Sequence, residues 1–249
     1  MSASIPALDP LWWGVLLSCR VLPPVVLVPV FGGERVPLPA RLALVVCTAI
    51  AVYPELGAFV SAPPQGLRYF GLMLKELAVG AVLALAGSCL LEAFRMGGRW
   101  IDELRGARQL SSGLVFFQNQ RGTPMEELHL LLACCAFFAL GGPAFFLDAL
   151  RHSLDVLPLD AFPRDPHCGR AAGLLIGLSS AALRAAVSIA LPVAGALLGA
   201  DCLLGFVNRS APPIPVFFLG MPLRALLGIG VVALTMDQVF GAGSMPWWL

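Results

Sequence analysis

Gly205 to Arg224 reads GFVNRSAPPIPVFFLGMPLR, an Asn208-Arg209 pair and three prolines set between two long apolar segments. Pro212, Pro213 and Pro215 remove backbone donors and push the residues before them out of helical angles, so Arg209 to Val216 is expected to be an irregular connection. Arg209 and Arg224 bracket an apolar run, Ile214 to Met221, that is expected to end at Gly220 and Pro222. Such a polar, proline-rich connection between apolar segments is hard to place in lipid, and the rest of the chain is similarly apolar.

The 249 residues are 58% hydrophobic and 12% charged, with a mean hydropathy of +0.85. Soluble domains carry about 25% charged residues, so composition predicts an integral membrane protein or part of a membrane complex. The formal net charge of +1 supplies no basic field for nucleic acid. Lys75 is the only lysine among basic residues that are otherwise arginine, the better group for a buried pair. The seven cysteines show no CxxC spacing and read as small buried hydrophobes. His167 and Cys168, with Asp165 and His152 nearby, come nearest to a metal cluster, but no paired ligand motif completes a site, so no cofactor is expected. Asp9 is the only charge before Arg20; a cleavable leader needs a basic n-region, and the first apolar segment is expected to be retained.

About six hydrophobic segments are visible: Leu11 to Phe31, Leu38 to Tyr53, Phe70 to Leu91, Leu128 to Leu147, Ala171 to Ala200 and Ile214 to Met236. Most approach the ~20 residues that span a bilayer core as helix. Several are interrupted: Arg20 precedes Pro23, Pro24 and Pro29, Lys75-Glu76 breaks the third run, and Arg184 with Pro192 breaks the fifth. A charge at a helix centre costs at least ~2.5–3.5 kcal/mol on insertion scales, so these segments are expected to pack against protein. Were all six to cross, the arginine bias of the loops around Arg35, Arg95 to Arg121 and Arg209 would put the N-terminus outside the cytoplasm.

The longest polar stretch, Glu92 to Glu127, divides in two. Ala93, Met96, Gly97, Trp100, Ile101, Leu104 and Ala107 recur at helical spacing, while Glu92 and Arg95, Arg99 and Glu103, and Asp102 and Arg105 are spaced to pair, so an amphipathic helix is predicted. After Gly106 the pattern fails, and Leu114-Val115-Phe116-Phe117 between polar turns reads as a loop with an apolar tip. Gly173-x-x-x-Gly177 and Gly195-x-x-x-Gly199 allow close helix approach. Trp12-Trp13 and Trp247-Trp248 read as interfacial anchors. Neither a nucleophile elbow, a phosphate-cradling glycine loop nor His-Glu-x-x-His occurs, and no enzymatic activity is expected. Without a fixed-period repeat or a separate soluble segment, one domain over residues 1–249 is predicted.

Gly205-x-x-Asn208-Arg209-x-Ala211-Pro212, then Val216-Phe217-x-x-Gly220-x-Pro222-Leu223-Arg224, closely resembles the C-terminal signature of the T subunit of type III secretion export apparatuses, SctT, whose flagellar relative is FliR. Arg20 to Pro23, Pro29-Val30-Phe31-Gly32-Gly33, Val36-Pro37 and Arg41 resemble that family's N-terminal pattern. Lys75-Glu76 with Gly80 resembles a central one, and Ile101-Asp102 with Arg105-Gly106-Ala107 is similar to the form found in the secretion branch. The chain departs from many relatives at Phe116-Phe117-Gln118-Asn119, where they carry Asp-Pro.

The resemblance implies an all-α, multi-helix membrane protein of broken hairpins, built into a helical hetero-oligomeric pore complex. Its partners would be R-like and S-like subunits, a U-like switch subunit, a V-like export-gate subunit, the lipid membrane and secreted polypeptides in transit. The location implied is the bacterial inner membrane, within the basal body. Glu76 is expected to pair with an arginine or with a partner subunit rather than to relay protons. The loop from Gly106 to Thr123 would sit in the central channel, where Leu114, Val115, Phe116 and Phe117 suit a plug because apolar side chains close a narrow pore by dewetting. The other reading, a small-solute secondary transporter, needs internal inverted symmetry.

Overall fold

The computed structural model describes residues 9–31, 36–52, 66–106, 122–162, 165–211 and 216–240, without the side chains of 9, 10, 165–168, 216, 217 and 236–240. The described residues are all helix, turn and connection. Helix α1 is Asp9–Leu27, followed by a 3-10 turn at Pro29–Phe31; α2 is Leu38–Val52, α3 Leu67–Leu104, α4 Pro124–Ala139, α5 Gly142–Val156, α6 Asp165–Ser210 and α7 Val216–Phe240.

Among the described residues three helical segments are long and apolar enough to cross a membrane, in α3, α6 and α7, and a fourth crossing is available if α4 and α5, bent by 74°, count as one. Helices α1 and α2 are shorter. An orientation argued from six crossings would need α1 and α2 to cross as well, and among the described residues these are too short for a full span. The run from Leu128 to Leu147 is divided because Gly141 takes φ +76, a left-handed conformation that glycine adopts without steric cost.

Several expected breaks are absent. The third apolar run and the amphipathic stretch after it form one helix, α3, of 38 residues, which ends only where Gly106 turns to φ +73. Pro192 lies inside α6, Pro222 inside α7, and Pro23 and Pro24 inside α1. Helix α6 also continues through Arg209 to Ser210, and α7 begins at Val216 and runs past Gly220, so the corner is shorter than the prolines suggest. Proline's fixed φ suits a helix and removes one backbone bond; in apolar surroundings the remaining backbone has no better partner than its own helix.

The chain resolves into two compact units, Met1–Leu90 with Phe137–Leu178, and Leu91–Ala136 with Ser179–Leu249. The first is organised around Leu16, Leu17, Val21 and Val25 of α1, packed with Val45, Ala49 and Val52 of α2, Leu72 of α3, and Leu150 and Leu154 of α5. These positions recur at three and four residues, the stripe a helix needs to bury one face. Trp13 joins this core, and Trp12 stands edge-on to Tyr69 with ring centroids 5.2 Å apart. In the second unit the buried apolar positions include Phe94 and Ile101 of α3, Ala186, Ile189 and Val193 of α6 and Val232 of α7. Gly97 makes room there for Ile189, whose Cγ2 a Cβ would meet at 2.9 Å.

The described cysteines are not buried as expected: Cys47, Cys135 and Cys202 are exposed, and Cys19, Cys89 and Cys134 half-buried, while the side chain of Cys168 lies outside the described residues. They sit on apolar faces that this chain leaves open, so hydropathy marked a face without marking what covers it.

Candidate functional site

Each unit holds a buried ionic network. In the first, Arg20 comes from the middle of α1 and Lys75 and Glu76 from α3; Arg20 and Glu76 are fully buried and Lys75 nearly so. Arg20 grips the Glu76 carboxylate with two nitrogens, Nε on Oε2 and Nη2 on Oε1, the latter at 3.0 Å. Its remaining donors reach the end of α5: Nη1 donates to Ser153 Oγ at 3.2 Å and Nη2 to the Leu157 carbonyl at 2.7 Å. Lys75 also pairs with Glu76, and its ammonium donates to the carbonyls of Pro158, Leu159 and Ala161 at 2.9, 3.1 and 3.0 Å.

Two cations share one carboxylate, leaving an excess positive charge in the interior. Backbone oxygens at and beyond the C-terminus of α5 absorb it, since that end of a helix carries partial negative charge and unsatisfied carbonyls. Removing one member of such a network strands the others, which is why buried pairs are costly to break though not necessarily strong evidence of stability.

In the second unit Glu126, at the start of α4, collects Arg95 Nε at 2.9 Å, Arg99 Nη2 at 2.6 Å and the Thr123 N–H at 3.4 Å. Arg95 also pairs with Glu92 at 3.1 Å. Asp102, fully buried, accepts from Arg105 Nη1 at 3.1 Å through Oδ1 and from the Met125 N–H at 2.7 Å through Oδ2. An acceptor at the first turn of α4 satisfies one of the donors a helix leaves free there. His129 Nδ1 donates to the Met125 carbonyl at 2.8 Å. Gly98 is required by this clamp, because a Cβ would overlap the Met125 carbonyl and come within 2.9 Å of Glu126 Cα. The stem of Arg105 lies against Gly228 of α7, where a Cβ would be 2.9 Å from its Nε.

Also in the second unit, Asp201 of α6 and Arg224 of α7 pair at 2.8 Å on the surface. Elsewhere in this unit, Trp100 and Leu104 of α3 with Val187, Leu191 and Ala194 of α6 line an open apolar groove of about 410 Å³, in which Glu103 is the one charged wall residue among those described. Among the described residues no group of three or more His, Cys, Asp or Glu could hold a metal ion.

The family described as bacterial export proteins, family 1, matches residues 11–244. The chain belongs to that family. This export protein is 26% identical over 229 residues to the flagellar biosynthetic protein FliR of Pectobacterium carotovorum subsp. carotovorum, covering 88% of the chain and 82% of that relative. It is 29% identical over 173 residues to the surface presentation of antigens protein SpaR of Shigella sonnei, 69% of the chain and 64% of the relative. It is 30% identical over 172 residues to the secretion system apparatus protein SsaT of Salmonella typhimurium, 64% and 60%.

Within the export protein the signature residues fall into three groups. Arg20, Glu76, Asp102 and Arg105 belong to the buried networks, and Gly80 and Gly106 serve helix packing and termination. Pro29 sits in the 3-10 turn, Pro37 leads into α2, and Arg41 Nε donates to the Val36 carbonyl at 2.9 Å. Gly205, Asn208 and Arg209 are exposed on α6, Gly220 is buried with its Cβ position 3.3 Å from Leu204, Pro222 is exposed and Arg224 holds Asp201. Gly32, Pro212, the side chain of Phe217 and the apolar tip Leu114 to Phe117 lie outside the described residues.

Sequence reasoning did not find Glu126 as the collector of two arginines, Ser153, or the carbonyls that hold Lys75. The first carried a visible signal: Glu126-Glu127 follows Thr123-Pro124, an acidic first turn at a helix start. Backbone acceptors carry no side-chain signature.

Proposed function

We propose that this export protein is the T-type subunit of a type III secretion export gate: a structural, pore-lining component in the bacterial inner membrane that passes unfolded effector polypeptides. One observation carries the reading beyond the family. Helix α6 has 46 residues, about 69 Å at 1.5 Å per residue, against a hydrocarbon core of about 30 Å. Exposed apolar residues such as Leu174, Ile176, Leu191, Leu198, Leu203 and Phe206 recur along it between buried positions such as Ala186, Ile189 and Val193, and tilts of up to about 40° do not fit such a helix into lipid. An assembly that covers apolar helices outside the bilayer accounts for this; a lone solute carrier does not.

The form of Ile101-Asp102-x-x-Arg105-Gly106-Ala107 favours the secretion branch over the flagellar one, while relatives of both branches match the chain. R-like and S-like subunits are the neighbours that would cover the open faces, with U-like and V-like subunits close by. A single family match across both units supports treating residues 1–249 as one export domain. The protein would be a passive conduit, energy and substrate choice residing in its partners. The plug remains Leu114 to Phe117, and the clamp of Asp102 on Met125 would hold the base from which that segment springs.

The test is native mass spectrometry of the affinity-tagged chain expressed with candidate R-like and S-like subunits and extracted in mild detergent. One copy inside a large hetero-oligomer is expected. A lone monomer or homodimer beside well-expressed neighbours would overturn the assignment.

A further inference from the structure

Arg184 is the only charged residue between Arg170 and Asp201 on α6. It is exposed, and among the described residues no side chain pairs with its guanidinium. Ser188, one turn on, turns its hydroxyl back to the Arg184 carbonyl at 2.9 Å and leaves the guanidinium untouched. Other cations of the second unit with an ion pair, Arg95, Arg99, Arg105 and Arg224, each have a carboxylate within 3.1 Å.

The surroundings specify what would meet Arg184. Leu183, Val187 and Leu191 are about half exposed or more, at 50%, 47% and 63%, and the last two also line the groove against Trp100 and Leu104. Further along the same face, open space surrounds the Cβ positions of Gly195 and Gly199, which lets another backbone come close. An apolar groove, a flat glycine surface and one unneutralised cation at its head match a helix that is apolar along one stripe and carries one acidic side chain. Lipid tails would cover the apolar part but leave the guanidinium without an anion, a costly position for an arginine along an apolar helix.

We propose that the α6 face headed by Arg184, with the groove beside it, docks an apolar helix of another subunit that presents a carboxylate to Arg184. This rests on the assembly reading above and adds to it the surface, the chemistry and the residue that reads the partner.

The chain's single lysine, Lys75, is buried, so the R184K substitution adds an accessible side-chain amine at the proposed contact and nowhere else. The R184K chain, co-expressed with the R-like and S-like subunits, is treated with a zero-length carbodiimide, which joins an amine to a carboxylate in direct contact, and the product is mapped by mass spectrometry. Coupling of position 184 to an Asp or Glu of a neighbouring subunit is expected. In parallel, R184L should lower the yield of the complex at least tenfold, while the R184L chain purified alone remains monodisperse with an unchanged melting temperature. Full assembly of R184L, or an R184K complex without a coupled partner, overturns the proposal and leaves lipid phosphate as the counterion. Failure of the wild-type chain itself to assemble would instead overturn the assembly reading, so the two failures are distinguishable.

Discussion

Gly80 of α3 lies directly against the main chain of α1 at Arg20: a Cβ there would overlap the Arg20 carbonyl oxygen and come within 2.9 Å of Pro23 Cδ. The close approach of the two helices and the buried pair Arg20–Glu76 are therefore one arrangement, the glycine setting the separation that the bidentate contact needs. Gly80→Ala must displace backbone, not a flexible side-chain end, and overpacking of that kind costs typically 1–3 kcal/mol. The expected outcome is a lower melting temperature of the detergent-solubilised chain; an unchanged one would show that α1 is not held at this distance.

Glu76→Ala leaves Arg20 and Lys75 buried without their shared carboxylate, a loss of about 3–5 kcal/mol by comparison with other broken buried pairs. Replacing Arg20 by Met in the same chain should recover part of the loss, because contacting members of a network are non-additive. Assembly yield should fall more than transport by those complexes that form. Normal yield with abolished secretion would point instead to a direct role for the carboxylate.

Around Glu126 the order of sensitivity is set by exposure. The side chains of Arg99 and Arg95 are 43% and 30% exposed, that of Glu126 only 4%. Arg99→Ala should cost no more than about 1 kcal/mol, as half-solvated pairs do, whereas Glu126→Ala removes the acceptor of both arginines and of a helix-start N–H. Melting temperatures of the two variants would separate these cases, and equal shifts would contradict the clamp.

Arg209→Ala concerns an exposed residue at the end of α6, so the chain alone should keep its melting temperature while the yield of hetero-oligomer falls. A loss of stability in the isolated chain would place Arg209 inside the fold and not at its boundary.

Deleting Leu114 to Phe117 should leave assembly intact and make the assembled pore conduct ions when idle, read as current across a planar bilayer. Unchanged conductance in a correctly assembled complex would remove the plug from this segment.

The helical class and most helix positions were legible because apolar runs in a chain this hydrophobic have few alternatives. Continuity was less legible. Before Glu92 α3 is apolar in most directions and after it one-sided, and a change of pattern resembles a change of element although the backbone does not break. Gly97 and Gly98 within it look like weak points; Ile189 and the Met125 carbonyl occupy the space they leave. Arg20 and Glu76 both stood out, yet their pairing joins positions 56 residues apart, and nothing in local spacing matches them. Exposure was the least legible property, since Cys47, Cys135 and Cys202 carry the same hydropathy whether a neighbour or solvent covers them.

Three backbone carbonyls and a carboxylate converge on the Lys75 ammonium, the donor set that a hard monovalent cation takes from a protein. The export protein thus carries its own tethered ion in a cage of oxygens, and residues 158–161 are folded around it as a ligand loop folds around a metal. Truncating Lys75 to alanine would leave these oxygens without their cation, and added ammonium or a short alkylamine would be the natural replacement.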